Sequence, residues 1–279
     1  MAKGHVLLCP CQRKKQMLFY DVYPGKAGKD TLPIVILPGL FGVAENWQRL
    51  AQRFSAWTTV YVLNLPFHGR SKAVGIADQP FYQGVAGVVY AWLQLHGISR
   101  AFVLGHSMGG KVGMQMAALY PDVVAHVMVL DIAPIRYAPS HLRVFEGLRT
   151  ADMRVETRTL LDTHLKPYIP DPMQRGFFLK QAILQPEGGF VWAFDVEALY
   201  VRYSEILSAP LITQSAVPAT LLAGEQSEYM AMASVAAFQT VFSNHHVQWL
   251  PTGHWVQVQD PEGVFTAVQA AWDGVSGVA

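Results

Sequence analysis

Cysteine is scarce: the 279 residues hold two, Cys9 and Cys11, with one residue between them. That spacing suits neither a structural disulfide nor a metal cage, so a stapled scaffold and a zinc module are both excluded. Charge is thin as well, with 15% charged residues and a formal net charge of +1. Without concentrated Lys and Arg there is no footprint for a phosphate backbone, and no nucleic-acid partner is expected. Long apolar runs are missing. The longest, from Gly84 to Leu93, falls far short of the ~20 residues that span a bilayer. Near the amino terminus the stretch Val6 to Leu8 is shorter than a secretory h-region and is followed by Arg13-Lys14-Lys15. The expectation is a cytoplasmic protein with ordinary thiols and no membrane span.

What is present is core material. Hydrophobic residues make up 51% of the chain, enough for one large domain with an insertion or for two small ones. Short apolar runs alternate with segments of helical period, the pattern of a mostly parallel α/β sheet covered on both faces. The runs are Ile34–Leu37, Val60–Leu65, Ala101–Leu104, Val127–Leu130, Thr220–Ala223 and Val247–Leu250. An antiparallel pair near Val6–Cys9 and Met17–Val22 brings the expected total to eight strands. Val85, Val88, Val89, Trp92 and Leu93 have helical spacing, as do Val264, Ala267, Val268, Ala271 and Trp272. Between Ile135 and Pro210 the alternation stops, and helical segments punctuated by Pro167, Pro170, Pro172 and Pro186 replace it. The predicted organisation is a core of residues 1–134 and 211–279 with a helical cap, 135–210. Such a cap would sit at the carboxyl ends of the strands, where open α/β sheets bind ligands.

The most specific motif is Gly105-His106-Ser107-Met108-Gly109, between the run Ala101–Leu104 and a helical segment ending near Tyr120-Pro121. A G-x-S-x-G at a strand–turn–helix junction presents its serine on a sharp, strained turn. Side chains larger than hydrogen at 105 and 109 would clash, and the hydroxyl is projected at the positive end of a helix. Any glycine-rich turn can contain a serine, but the flanking strand and helix make Ser107 a candidate nucleophile. A serine needs a base to take its proton. His254 follows the last predicted strand in Pro251-Thr252-Gly253-His254-Trp255 and precedes the final helix, whereas His245 and His246 precede that strand and lie at its wrong end.

The base in turn needs a carboxylate. After the penultimate run, where that acid often stands, the chain reads Gly224-Glu225-Gln226-Ser227. Asp131, at the end of Val127–Leu130, is the preferred candidate, with Glu225 and Glu228 as alternatives. Two donors should face a developing oxyanion. Met108 N–H is one, and the turn Leu37-Pro38-Gly39-Leu40-Phe41-Gly42 should supply the other through Leu40, or alternatively Phe41. Phe41, His106, Tyr137, Trp192, Phe194 and Trp255 are the candidate walls of an apolar pocket.

Together these residues resemble the α/β-hydrolase superfamily, and within it a branch of small bacterial carboxylesterases, with thioesterase activity also implied, and their mitochondrial relatives. The resemblance rests on Gly39-Leu40-Phe41-Gly42, Asn46-Trp47, His68-Gly69-Arg70-Ser71, Leu104 to Lys111, Asp131-Ile132-Ala133-Pro134 and Gly253-His254-Trp255-Val256. It extends from near residue 32 to the carboxyl terminus, with the cap matched loosely through Trp192 and Phe194. It implies an α/β-hydrolase fold, an eight-stranded sheet with a helical cap, and hydrolysis of small to medium acyl esters by Ser107, His254 and Asp131. No metal or organic cofactor is implied; the partner is a small acyl ester or thioester, and the protein a monomer or homodimer. Two positions depart from the pattern: Pro38 replaces a usual His, and Asn64 a usual Asp. His68 is expected to brace a loop. A carbon–carbon bond hydrolase, a cofactor-free haloperoxidase or perhydrolase, and a catalytically silent binding protein are the rival readings. A carrier-linked thioester is a further one, since residues 136–180 hold eight Lys or Arg against five Asp or Glu.

Overall fold

The structure is a computed structural model, and it describes residues 17–26, 31–76 and 78–277. Nine strands are formed among them. They are β1 (Tyr20–Tyr23), β2 (Ile34–Leu37), β3 (Val60–Leu63), β4 (Ala101–His106), β5 (Val124–Leu130), β6 (Ala182–Leu184), β7 (Phe190–Trp192), β8 (Ala219–Gly224) and β9 (His245–Leu250). Seven build the main sheet in the order β1-β3-β2-β4-β5-β8-β9, with β1 antiparallel to β3 and every other pair parallel. The apolar runs read from the sequence are all strands of this sheet. Of the expected antiparallel pair, Met17–Val22 overlaps β1, and Val6–Cys9 lies outside the described residues. The sheet among the described residues therefore has seven strands, one fewer than expected.

Parallel strands must bury both faces, and the alternation within each strand does so. Ile34 and Ile36 point to one face with Phe102, Leu104, Met128 and Leu222; they pack against helices α1 (Gln48–Phe54) and α11 (Pro261–Ser276) through Leu50, Phe54, Val264 and Trp272. Val35, Leu37, Val103 and Val129 point the other way. They pack on α2 (Phe81–Leu95) and α3 (Met108–Leu119) through Val85, Val89, Trp92 and Val112. The segments with helical spacing around Val85 and Val264 are thus α2 and α11.

Between β5 and β8 run α4 (Leu142–Thr150), α5 (Arg158–Leu165), α6 (Pro172–Lys180), the strands β6 and β7, α7 (Val196–Val201) and α8 (Tyr203–Leu207). Thr157 and Asp171 cap α5 and α6 by accepting from Leu160 N–H and from Met173 and Gln174 N–H. The expectation of helices alone in this segment needs correction, because β6 and β7 form an antiparallel hairpin, Ala182 opposite Trp192. Gly188 and Gly189, both at positive φ (91° and 75°), make its turn. Two three-residue strands are too short to carry a readable period. After β8 come α9 (Met232–Val241), β9, α10 (Val256–Gln259) and α11. No helix among the described residues is long and apolar enough to cross a membrane.

Candidate active site

The chain segments leaving β2, β4, β5, β8 and β9 all emerge at one edge of the sheet. The ladder runs right up to that edge. His106 pairs with Leu130, and Ser107 N–H donates to Leu130 C=O at 3.0 Å; Asp131 N–H donates to Leu222 C=O at 2.9 Å. Adjacent strands of fixed register therefore deliver Ser107 and Asp131 side by side. Ser107 caps α3 with φ 51° and ψ −120°, the strained turn foreseen for it. A Cβ on Gly105 would fall on the backbone of Gly109, and one on Gly109 would fall on the carbonyls of Leu37 and Pro38. Both glycines are required, although the second is crowded by β2 and not by the first.

Ser107 Oγ lies 3.0 Å from His254 Nε2, and His254 Nδ1 lies 2.7 Å from Asp131 Oδ2. Asp131 is fully buried and accepts from two further donors: Gly224 N–H at 2.7 Å on Oδ1, and the hydroxyl of Ser227, which shares Oδ2 with His254. With Oδ2 accepting, Nδ1 carries the proton, and Nε2 is left as the acceptor facing Ser107. Glu225 is exposed and Glu228 lies on the cavity wall; neither bonds to His254. Ser227, the residue standing in the position where an acid is common, instead donates its hydroxyl to Asp131. Sequence reasoning noted the absence at 227 without seeing this use.

The remaining histidines at the edge are braces. His68 is fully buried; its Nδ1–H donates to Pro66 C=O at 2.8 Å, and its Nε2 accepts Phe41 N–H at 3.0 Å. Burial pushes its imidazole down to about 4, so it stays neutral. The expected loop-bracing role is what the bonds describe. Phe41 N–H is thus engaged by His68 within the turn. Gly42 N–H closes the turn onto Gly39 C=O at 2.9 Å, with Phe41 at φ 64°. Among the described residues neither Leu40 N–H nor Met108 N–H meets an acceptor. Asn64, the second departure, accepts Ala44 N–H at 2.9 Å and so braces the turn that follows. His106 Nε2–H donates to His254 C=O at 2.9 Å, and burial first, then the neighbouring His254, pushes His106 down to about 3. The Tyr229 ring stacks on His254 with centroids 4.1 Å apart.

A cavity of about 1010 Å³ opens over Ser107 and His254. Of the pocket residues expected from sequence, Phe41, His106, Tyr137 and Trp255 line it. Trp192 and Phe194 do not. They stack on each other at 5.8 Å one layer behind, Phe194 against Phe41 at 4.9 Å, with Trp192 Nε1–H donating to Leu148 C=O. Their buried position makes them core. Lys111, Tyr229 and His141 line the cavity and carried no assigned role in the sequence reading; side chains one helical turn past a nucleophile were the signal available for Lys111. Among the described residues no group of three His, Cys, Asp or Glu side chains is arranged to hold a metal ion.

Comparison with known proteins agrees with this architecture. The family model described as the alpha/beta hydrolase fold matches residues 33–261. A putative esterase/lipase of Haemophilus influenzae is 28% identical over 258 residues, covering 91% of this chain and 88% of that protein. The sn-1-specific diacylglycerol lipase ABHD11 of Mus musculus is 28% identical over 261 residues, covering 90% and 83%. Among solved structures, one described as a marine microorganism esterase superposes with a TM-score of 0.84 at 27% identity, covering 91% of this chain and 99% of that one. With most of its length matched by the family model and its sheet ordered as described, this chain belongs to the α/β-hydrolase family.

Proposed function

We propose that the protein is a serine hydrolase that cleaves small to medium acyl esters, thioesters included, through an acyl-enzyme on Ser107. The reading is carried by one observation: an unbroken chain of contacts from Ser107 Oγ to His254 Nε2 at 3.0 Å and from His254 Nδ1 to Asp131 Oδ2 at 2.7 Å. His254 takes the Ser107 proton as the oxygen attacks the acyl carbon. The C–O or C–S bond to the leaving group then breaks, and His254 returns the proton to the departing alcohol or thiol. Water repeats the sequence, releasing the acid and regenerating Ser107. Asp131 holds the imidazole tautomer and balances the imidazolium. The N–H groups of Leu40 and Met108 would receive the oxyanion, each such donor being worth ~10²–10³ in rate. Residues 135–210 serve in this reading as a cap that walls the acyl pocket with Val144 and Phe177, opposite Trp255. The names of similar proteins, esterase/lipase and diacylglycerol lipase, support ester chemistry.

A fluorophosphonate probe, which forms a covalent bond to an activated serine, provides the test. Labelling of the wild type and none of Ser107→Ala is expected. Equal labelling of both, or of neither, overturns the hydrolase reading and favours a silent binding protein.

A further inference from the structure

Lys111 lies four residues beyond Ser107 on α3, about 6 Å along the helix axis and on the same side. It is only 2% exposed, yet it lines the cavity. Its ammonium donates to the carbonyls of Leu207 at 3.2 Å and Ser208 at 2.7 Å, and faces the rings of Tyr137 at 4.8 Å and Tyr82 at 5.5 Å. Every one of these partners is neutral. Burial holds Tyr82 well above its ordinary range and Tyr137 up at about 12. The other charged group beside Lys111 is a second cation, Arg136, exposed and donating to Ser208 Oγ at 3.2 Å. Among the described residues neither Lys111 nor Arg136 forms an ion pair. Burial first and Arg136 second push Lys111 down to about 7.

A buried ammonium without a counter-ion is costly, and holding the backbone does not demand one. One turn further along α3, Gln115 clasps the same returning segment with a neutral amide, donating to Leu211 C=O at 3.0 Å and accepting Leu211 N–H at 2.7 Å. The charge at 111 therefore exceeds what the clasp requires. Two of its three N–H bonds are spent on carbonyls; beyond the two tyrosine rings the third meets no hydrogen-bond acceptor among the described residues, on a side chain that borders the cavity holding Ser107.

We propose that Lys111 is the anion-recognising group of the acyl pocket, so that the preferred substrates are esters whose acyl chain ends in a carboxylate, the half-esters of dicarboxylic acids. The inference rests on the hydrolase reading above and names the substrate class for it. Ser107 attacks the ester carbonyl while the far carboxylate pairs with the ammonium; water completes the hydrolysis to the dicarboxylic acid and the alcohol.

The test needs no variant at first. Monoethyl half-esters of C4 to C10 dicarboxylic acids are compared with ethyl esters of monocarboxylic acids of equal length, following release of ethanol. At the optimal length the wild type should favour the half-ester by about 30-fold in kcat/KM, close to the 2 kcal/mol of one charge-assisted hydrogen bond. Lys111→Met should lose far more on the half-ester than on its neutral counterpart. Preference for the neutral ester at every length, or an equal loss on both in Lys111→Met, overturns the proposal. A binding measurement separates this from failure of the hydrolase reading. Calorimetry of Ser107→Ala with the half-ester at pH 8, in two buffers of different ionisation enthalpy, should show tighter binding than the neutral ester, with uptake of part of a proton. A purely structural lysine would take up none. Equal binding of both esters to Ser107→Ala overturns the substrate assignment while leaving the serine chemistry intact.

Discussion

Asp131 is held by bonds from three residues distant in the chain. It sits at φ 54°, in the left-handed region, where Asp is tolerated better than most side chains. Two of its bonds come from the strand and loop that would otherwise carry the acid, Gly224 N–H and the Ser227 hydroxyl. A carboxylate can accept all three donors at once; an amide, with one acceptor oxygen, cannot. Asp131→Asn should therefore keep its fold and lose about 10³–10⁴ in kcat on a nitrophenyl ester, the scale known for triads whose base is left in the wrong tautomer. Glu225→Gln, at an exposed position with no bond to His254, should stay within about two-fold of the wild type, because surface changes away from bonded partners cost little. Ser227→Ala removes one donor to a charged group, a loss of ~1.5 kcal/mol or more, so kcat/KM should fall about 10-fold. Steady-state kinetics of the three variants checks the ranking. Full activity in Asp131→Asn would move the acid elsewhere.

At the scale of elements, the strained turn between β4 and α3 depends on backbone passing within contact distance of β2. The position next to the Leu37 and Pro38 carbonyls leaves no room for a Cβ at 109. Gly109→Ala should cost at least ~3 kcal/mol in urea unfolding, the range of severe overpacking, because backbone cannot step aside as a flexible side chain can. Gly274 is the counterpart. It is exposed within α11, and a Cβ there would meet no atom within 4 Å. Gly274→Ala should gain ~0.5–1 kcal/mol from helix propensity alone. This contrast also marks what the sequence could convey. The mostly apolar runs became β2, β4, β5 and β8 because a strand buried on both faces favours apolar side chains throughout, and the G-x-S-x-G placed Ser107 by local geometry. The β6–β7 hairpin escaped notice because three residues hold too little period. That Trp192 and Phe194 lie behind the pocket was not legible, because an aromatic residue between β5 and β8 reads alike in sequence whether it walls a pocket or backs one. Ser227 could not be assigned from its neighbours at all, since its partner, Asp131, is brought to it by the β5–β8 register.

At the scale of the whole molecule, the site edge is held together by histidines that must stay neutral. His68 is pushed down to about 4 and His106 to about 3, both chiefly by burial, and His126 and His141 likewise to about 4. His126 packs flat on Phe102 inside the sheet layer, with Nε2 bonded to Thr220 Oγ and Nδ1 without a partner among the described residues. Unfolded, each would titrate near pH 6.5. Below that pH the unfolded chain binds protons that the native state refuses, so the stability these groups contribute is whole above pH 6.5 and is lost as the pH falls toward 4. Each such group costs ~1.4 kcal/mol per pH unit across that window. Lys111 acts in a different window. Its folded value of about 7 against 10.5 unfolded means that stability should rise with pH between those values. Against a total of ~5–15 kcal/mol, the ~2 kcal/mol that each of the four histidines forfeits by about pH 5 removes a large share of the stability. Thermal unfolding followed from pH 8 to 4.5 should show Tm level or slightly falling to pH 6.5 and dropping steeply beneath it. His126→Met, which removes the one of the four titrations that lies inside the sheet and away from Ser107, should reduce the acid-side slope of stability against pH by about one proton. An unchanged slope in His126→Met would mean that the buried imidazole already carries its proton in the folded state, contrary to the environment the sheet gives it.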